Sequence, residues 1–262
     1  MVAITYQEQP APAPLQPWVV AIWQIRGDGE SRVSGAHRVL PDGCVDLMFD
    51  RNSALLVGPM TRALIAPIFA HTEMLGIRLR AGAVGALSAI SARKIQDAAI
   101  PLKDAGIRLA LTHDQLFERS GLAERAALLM PALASRLAAR PARDLAVRAA
   151  VESWVRAAGS EPLSTVHAVA RHVGLSERSL ERRFAASVGY TPAQFRRLVR
   201  FRAALRLSGS AQSWVDIATQ CGYSDQAHLT RDFREFASMT PTAWAAEQQP
   251  VGFFQDNPVA AR

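Results

Sequence analysis

The chain has 262 residues, enough for one or two domains, and at 49% hydrophobic and 20% charged it can bury a core, which excludes disordered and fibrous classes. Its 30 basic residues against 23 acidic ones leave a formal +7, all arginine except Lys94 and Lys103, so a polyanionic partner is suggested but not identified. Two distant cysteines, Cys44 and Cys221, no apolar run near the roughly 18 residues of a membrane span, and a start (MVAITYQEQPAPAP) unlike a secretory signal lead to an expected cytoplasmic location with no membrane partner.

Residues 1 to about 85 are rich in β-branched and aromatic residues broken by turn signals. Strands are expected at 18–25 (WVVAIWQI), 44–49 (CVDLMF), 54–57 (ALLV) and 74–79 (MLGIRL). Breaks at Gly27-Asp28-Gly29, Pro41-Asp42-Gly43 and Gly58-Pro59 separate them as in a compact antiparallel sheet or barrel. From about Ala81 the spacing becomes helical, over 83–90, 104–119 and 122–139, with Pro141 expected to end the last helix. Leu122, Ala126, Leu129, Leu133 and Leu137 form one apolar stripe, for which packing within the domain is favoured over a dimer seam.

A helix over 142–158 leads to a junction at Gly159-Ser160-Glu161-Pro162, and a repeat follows. Ala170 and Gly174 recur as Ala218 and Gly222, Phe184 as Phe233, and Thr191-Pro192-Ala193-Gln194-Phe195 as Thr240-Pro241-Thr242-Ala243-Trp244. Each copy has the plan of a helix-turn-helix. In the first, Ser164 caps a helix with Val166, Val169 and Ala170 inward; Gly174 makes the turn, Leu175 plugs the core, and Ser176 caps a second helix that buries Leu180 and Phe184. In the second, Ile217 and Ala218 pack inside, Gly222 turns, Tyr223 plugs, and Ser224 or Asp225 caps a helix that buries Leu229, Phe233 and Phe236.

The faces left outward carry Arg178, Glu181 and Arg182, with Arg183 at their margin, in the first copy, and Gln226, His228 and Arg231 in the second. Arginine pairs with guanine and glutamine with adenine through two hydrogen bonds, so these side chains suit base edges in a major groove. A solvated bundle face would explain either set alone; two matched sets favour DNA. Between the copies Thr191 caps, and Pro192 begins, a helix of about 25 Å, which with one helix diameter of ~10 Å approaches the ~34 Å of one DNA turn. It carries Arg196, Arg197, Arg200, Arg202 and Arg206 with no acid; Arg196, Arg197 and Arg200 are the phosphate-contact candidates, with some arginines reserved for internal ion pairs. Residues 177–206 hold eight arginines and two glutamates.

Through ARHVGLSERSLERRF, GYTPAQFRRLVRFRAALRLS and IATQCGYSDQAHLTRDFREFASMTPTAW, residues from about 160 to 246 resemble the tandem helix-turn-helix domain of the AraC/XylS family of bacterial transcription regulators. By position, Arg178, Glu181 and Arg182 match the base-facing slots of that family's first recognition helix, and Gln226, His228 and Arg231 those of its second. Ala227 stands where relatives are often polar, Ser238 where glycine is common and Met239 where a small residue or valine is usual. HRVLPDGCVDLMF, LLVGPMTR and LGIRLRAGA resemble the companion domain of one subgroup; the family's such domains are small β-barrels that bind an effector or dimerise.

The expected class is therefore α+β. Residues 1–140 form a small antiparallel β-barrel-like domain with helices, for effector binding or dimerisation; 141–159 form a helical linker, 160–249 an all-α tandem helix-turn-helix domain and 250–262 a tail. The expected function is a sequence-specific DNA-binding regulator that places two units in successive major grooves under the influence of its N-terminal domain. The alternative is an architectural DNA-binding co-regulator with no ligand sensing. Double-stranded promoter DNA is the expected partner, and the resemblance adds RNA polymerase, a small-molecule effector and a homodimer. No cofactor is expected. His37, Asp42, Cys44 and Asp46 are the effector-pocket candidates; as metal ligands they are disfavoured, since Pro41-Asp42-Gly43 reads as a turn in which Asp42 bonds its own backbone. An enzyme built on Cys44 with His37 or His71 has no supporting motif. A methyl-accepting repair protein would need four zinc-binding cysteines where this half has one. Cys221 is expected to pack in the core.

Overall fold

The structure is a computed structural model that describes residues 4–27, 35–138, 144–159 and 163–247. The expected breaks at 28–29, Pro141 and 160–162, and the 250–262 tail, lie outside the described residues.

The first part is an antiparallel sheet of six strands in the order β1 (Ile4–Pro10), β2 (Val19–Gly27), β7 (Glu73–Leu79), β4 (Val45–Phe49), β5 (Ala54–Val57) and β8 (Ala99–Pro101). A separate ribbon pairs β3 (Gly35–Val39) with β6 (Leu64–Ile68). β2 lies between β1 and β7 and is buried on both faces, which is why it reads as a continuous apolar run rather than an alternating one. Ile22 joins the main core, while Trp23 and Ile25 pack with Tyr6, Met48 and Met74 on the opposite face. The strands the sequence hid are the polar edge β1 (ITYQEQP), the ribbon pair and the three-residue β8; Pro67 in β6 is tolerated because the ribbon has free edges.

After the sheet, the expected helix at 83–90 is one 3-10 turn, Val84–Ala86, and that at 104–119 is reduced to α1 (His113–Phe117). Residues 102–107 close instead into a turn in which the Ile107 amide donates to the Leu102 carbonyl at 2.9 Å. α2 (Leu122–Ala138) forms as read, and its stripe of Leu122, Ala126, Leu129, Leu133 and Leu137 is buried against the sheet domain, not left for a partner. On that helix Arg125 is wholly buried, donating to Glu73 at 2.5 Å and to the Arg119 carbonyl at 2.8 Å with its guanidinium over Phe117.

α3 (Leu145–Ala157) departs from its reading as a linker. Its Val147, Ala150, Val151 and Trp154 belong to the core of the helical domain, because an amphipathic face beside an apolar cluster gains more by burial than by exposure. Trp154 is fully buried, meets Phe184 edge-on at 5.8 Å and donates from Nε1 to the Ser164 carbonyl at 2.9 Å. The remaining helices are α4 (Val166–His172), α5 (Glu177–Val188), α6 (Pro192–Leu207), α7 (Trp214–Gln220), α8 (Gln226–Ala237) and α9 (Pro241–Ala246). Among the described residues no helix is long and apolar enough to cross a membrane.

Trp154→Ala is expected to destabilise the helical domain by about 3–5 kcal/mol, the usual cost of emptying a buried aromatic site. Chemical denaturation followed by tryptophan fluorescence and circular dichroism measures it; a loss below about 1 kcal/mol would return α3 to the status of a linker.

Candidate nucleic-acid interface

The two helical units are built alike, atom for atom at the turn. In the first, the Leu175 amide donates to the Ala170 carbonyl at 2.9 Å and Gly174 has φ +71°; in the second, Tyr223 donates to Ala218 at 2.9 Å and Gly222 has φ +73°. A left-handed turn residue after a helix favours glycine, and the small alanine lets the next helix cross closely. Thr165, not Ser164, caps α4, accepting from the Ala168 amide, while the Ser164 carbonyl is held by Trp154. Ser176 caps α5 and Asp225 caps α8. Leu180, Phe184 and Val188 bury one face of α5; Leu229, Phe233 and Phe236 bury the equivalent face of α8.

Those buried faces fix what points outward. Arg178, Glu181 and Arg182 on α5 are exposed, as are Gln226 and Arg231 on α8. His228 differs from its sequence expectation as a base-facing residue. Its ring is half-buried, with Nε2 3.0 Å from Arg200 Nη2 and Nδ1 3.2 Å from Ser224 Oγ. Because Arg200 can only donate, Nε2 is the acceptor and Nδ1 carries the proton. Burial first, then the Arg200 charge, lowers the His228 pKa, so the neutral ring suits this site.

The phosphate-contact candidates are also corrected. Arg200 is buried: Nη1 donates to the Gly222 carbonyl at 3.2 Å, Nη2 lies 3.5 Å from Asp232, and the guanidinium stacks on Tyr223 at 4.2 Å. Arg197 bridges Asp232 at 2.7 Å and Glu235 at 2.5 Å, and Arg196 donates to the Leu163 carbonyl at 3.0 Å. Arg183 pairs with Asp144 at 2.6 Å. A helix buried on several sides must satisfy its guanidinium groups internally, and sequence spacing alone could not show that. Arg171 on α4 and Arg234 on α8 are the exposed cations that sequence reading passed over.

The polar cluster of the sheet domain lies along the seam with the helical domain. Asp42 Oδ1 accepts from the Cys44 amide at 2.8 Å, the turn expected from the sequence. Asp42 and Asp46 flank the buried Arg78 at 3.5 and 3.7 Å, with Glu8 at 3.6 Å on its other side. Burial pushes the Asp46 carboxyl up to about 6, although Arg78 opposes the shift. Cys44 is buried and its thiol is pushed well above its usual value by that burial, the reverse of what a thiolate nucleophile needs. His37, on the ribbon, is half-buried and its pKa is lowered by burial. Among the described residues no group of three or more His, Cys, Asp or Glu could hold a metal ion.

This seam faces the helical domain. Gly43, at φ +80°, sits where a side-chain carbon would fall 2.7 Å from the Phe195 ring of α6, and Leu40 is part of the helical core. Ser91 Oγ donates to the Ala186 carbonyl of α5 at 3.3 Å, the Tyr190 hydroxyl donates to the Met60 carbonyl, and Arg38 Nη1 donates to the Ala237 carbonyl, the last of α8, at 3.0 Å. The sheet domain thus holds the C-terminal ends of both outward-facing helices.

Residues 169–247 match a family described as a helix-turn-helix domain, and residues 7–101 match one described as a domain of unknown function (DUF6597). The HTH-type transcriptional regulator ArgR of Pseudomonas aeruginosa is 35% identical over 82 residues, 31% of this chain and 25% of that protein. The probable thc operon regulatory protein of Rhodococcus erythropolis is 31% identical over 107 residues, 39% of this chain and 32% of that protein. The chain therefore spans a quarter to a third of the length of these curated relatives, 25% and 32%. A solved transcriptional regulator from Chromobacterium violaceum, described by its AraC-type DNA-binding domain, is 30% identical, with 40% of this chain and 95% of that one covered and a TM-score of 0.37.

Two outcomes are expected. Arg200→Ala should lower the stability of the helical domain by about 1–3 kcal/mol, the cost of leaving the Gly222 carbonyl and His228 Nε2 without their donor, while Asp232 keeps Arg197, measured by denaturation without DNA. Unchanged stability with weakened DNA binding would restore a phosphate role. Second, His228 has a lowered pKa, so its contribution to stability is present above the unperturbed value of 6.5 and is lost as pH falls through the folded value. Wild type should therefore lose stability relative to His228→Gln on acidification from pH ~7.5 to ~5.5; parallel curves would place the ring outside this contact.

Proposed function

Through residues 169–247 the chain belongs to the AraC/XylS family of transcription regulators, and we propose that it binds an asymmetric promoter site with α5 and α8 in two successive major grooves. One observation carries this reading: two units with the same turn hydrogen bonds present exposed hydrogen-bonding side chains at corresponding places while their other faces are locked in the core. α6 (Pro192–Leu207) is 16 residues, about 24 Å at 1.5 Å per residue, a spacing suited to two groove entries on one side of the duplex.

In this reading Arg178, Glu181 and Arg182 read one half-site, and Gln226 and Arg231 the other. His228 supports the second set by bracing the start of α8 against Arg200. The role of phosphate contact passes from Arg196, Arg197 and Arg200 to Arg171 and Arg234, which lie exposed on helices of the two units. The N-terminal domain modulates binding because Ser91 and Arg38 hold carbonyls at the C-terminal ends of α5 and α8, so a shift in that domain re-aims both helices. That grip favours a sensor over a purely architectural binder, which would need no contact of the sheet domain with both reading helices. Activation of transcription would need a further contact with RNA polymerase.

Selection of bound sequences from a random DNA pool tests the reading, and the expected outcome is an extended asymmetric site. Arg182→Ala should relax preference at one half of it by about 1–3 kcal/mol for the base pair contacted. Arg171→Ala should weaken all sequences alike and reduce the slope of affinity against salt. If the selected pool shows no motif, or both variants bind random and selected DNA as wild type does, the reading fails.

A further inference from the structure

The sheet domain has a cleft far from the Asp42 seam, at the opposite end of β4. It lies between the β4–β5 hairpin and residues 101–116, with a volume of about 610 Å³, inside the range of about 300–1,000 Å³ typical of small-molecule sites. Its floor is apolar: Phe49, Leu55, Leu102, Ile107, Leu116 and Leu129. Its charged lining is of one sign. Lys103 and Arg108 are both exposed, His113 is half-buried, and no carboxylate is among the described lining residues. Neither Lys103 nor Arg108 has an ion-pair partner among the described residues, although the domain elsewhere pairs its inward-facing arginines, such as Arg78 and Arg125, with carboxylates.

The walls are held in place before anything binds. The Leu102 amide donates to the Ala54 carbonyl at 2.9 Å, fixing the loop to β5, and Ile107 returns to the Leu102 carbonyl at 2.9 Å. Lys103 and Arg108 thus stand at the two ends of one closed turn. Arg136 of α2 donates to the Gly106 carbonyl at 2.8 Å and anchors the turn from outside. On the facing wall His113 Nδ1 is 2.9 Å from the Asp50 carbonyl, which makes Nδ1 the protonated nitrogen and holds the ring in place. Thr112 and Gln115 form a capping box that sets the start of α1 beside it. An apolar floor with two unpaired cations on a rigid rim, and no acid, is complementary to one chemical class.

We propose that this cleft is the effector site of the N-terminal domain and that it takes a small amphipathic organic anion, with an apolar body on the floor and a carboxylate or phosphate head at Lys103 and Arg108. The proposal rests on the reading of that domain as a sensor. β4 supplies the connection to DNA: Phe49 lines the cleft at one end of the strand, and the turn preceding Val45 seats Gly43 on Phe195 of α6 at the other.

The test uses the full chain in thermal-shift and calorimetric titrations with 4-phenylbutanoate, 4-methylpentanoate and 3-phenylpropyl phosphate, each against its uncharged counterpart, the amide or the alcohol. At least one anion should raise Tm saturably while its uncharged counterpart does not; the carboxylate and phosphate arms identify the preferred head. Lys103→Ala/Arg108→Ala, which alters exposed side chains only, should keep the unliganded Tm and weaken that anion at least tenfold, about 1.4 kcal/mol. The proposal is overturned if no anion shifts Tm, if the uncharged counterparts bind equally, or if the double variant binds as wild type does. Binding of the same preparation to the selected DNA is measured in parallel: DNA binding without any anion response removes this site and leaves the DNA-reading function standing.

Discussion

Both helix-turn-helix units and the sheet domain pack on one helix, α6, buried on several sides. At its N-terminal end Phe195 meets Phe184 at 5.3 Å and Tyr190 at 6.2 Å, which ties α6 to the first unit; toward the other end Phe201 meets Phe233 at 5.1 Å and Phe236 at 5.2 Å, which ties it to the second. Edge and tilted ring contacts of this kind are directional as well as apolar, so they fix rotation about the helix axis and not only proximity. With both recognition helices packed on a common rod, their separation and mutual orientation follow from the length and rotamers of α6. The same rod receives the sheet domain through Gly43 on Phe195.

The electrostatics of that rod invert the simplest view of a basic segment. Of the arginines between 177 and 206, Arg183, Arg196, Arg197, Arg200 and Arg206 donate to carboxylates or carbonyls inside the chain, whereas Arg178 and Arg182 stand exposed. The local surplus of positive charge is thus largely structural. Asp232, 1% exposed, accepts from Arg197 and faces Arg200, which adds a charged tie between α8 and α6 to the ring contacts. A buried charge cluster is a poor source of net stability compared with an apolar one of the same volume, but it tolerates only one geometry. In the proposed reading, α8 presents Gln226 and Arg231 at fixed positions, and that selectivity serves it.

How much of this was legible beforehand varied with the physics involved. The repeat was readable because apolar, turn and cap positions recur in register, and each depends on local chemistry: Ser176, Thr191 and Asp225 cap as their residue types dictate. The strands at 45–49 and 54–57 were readable from their apolar content between turns. What sequence could not show were properties set by distant partners. Arg200 and Arg182 are the same residue type on helices of similar composition, yet one is buried against Tyr223 and the other exposed. α3 resembled a connector until Trp154 was seen in the helical core, and the helix expected at 104–119 gave way to a turn closed by Leu102 and Ile107. The cationic rim at Lys103 and Arg108 depends on that turn, and its signal in the sequence was masked by the helical spacing around it.

The two domains meet at the ends of α5 and α8. Arg38 donates to the last carbonyl of α8, where the helix dipole is negative and carbonyls lack intrahelical partners, and Ser91 does the same near the end of α5. Both contacts sit at the ends of α5 and α8 remote from their capped N-termini, near which the exposed Arg178 and Gln226 stand. In the proposed reading, a displacement at such an end would turn the helix about its packed middle, at Phe184 or Phe233. Arg38 reaches α8 from the β3–β6 ribbon and Ser91 reaches α5 from the segment before β8, so both helices are held from the sheet domain. In the proposed reading, a change at the cleft end of β4 that shifts the Gly43 seat on Phe195 would alter the aim of α6 and of the units packed on it.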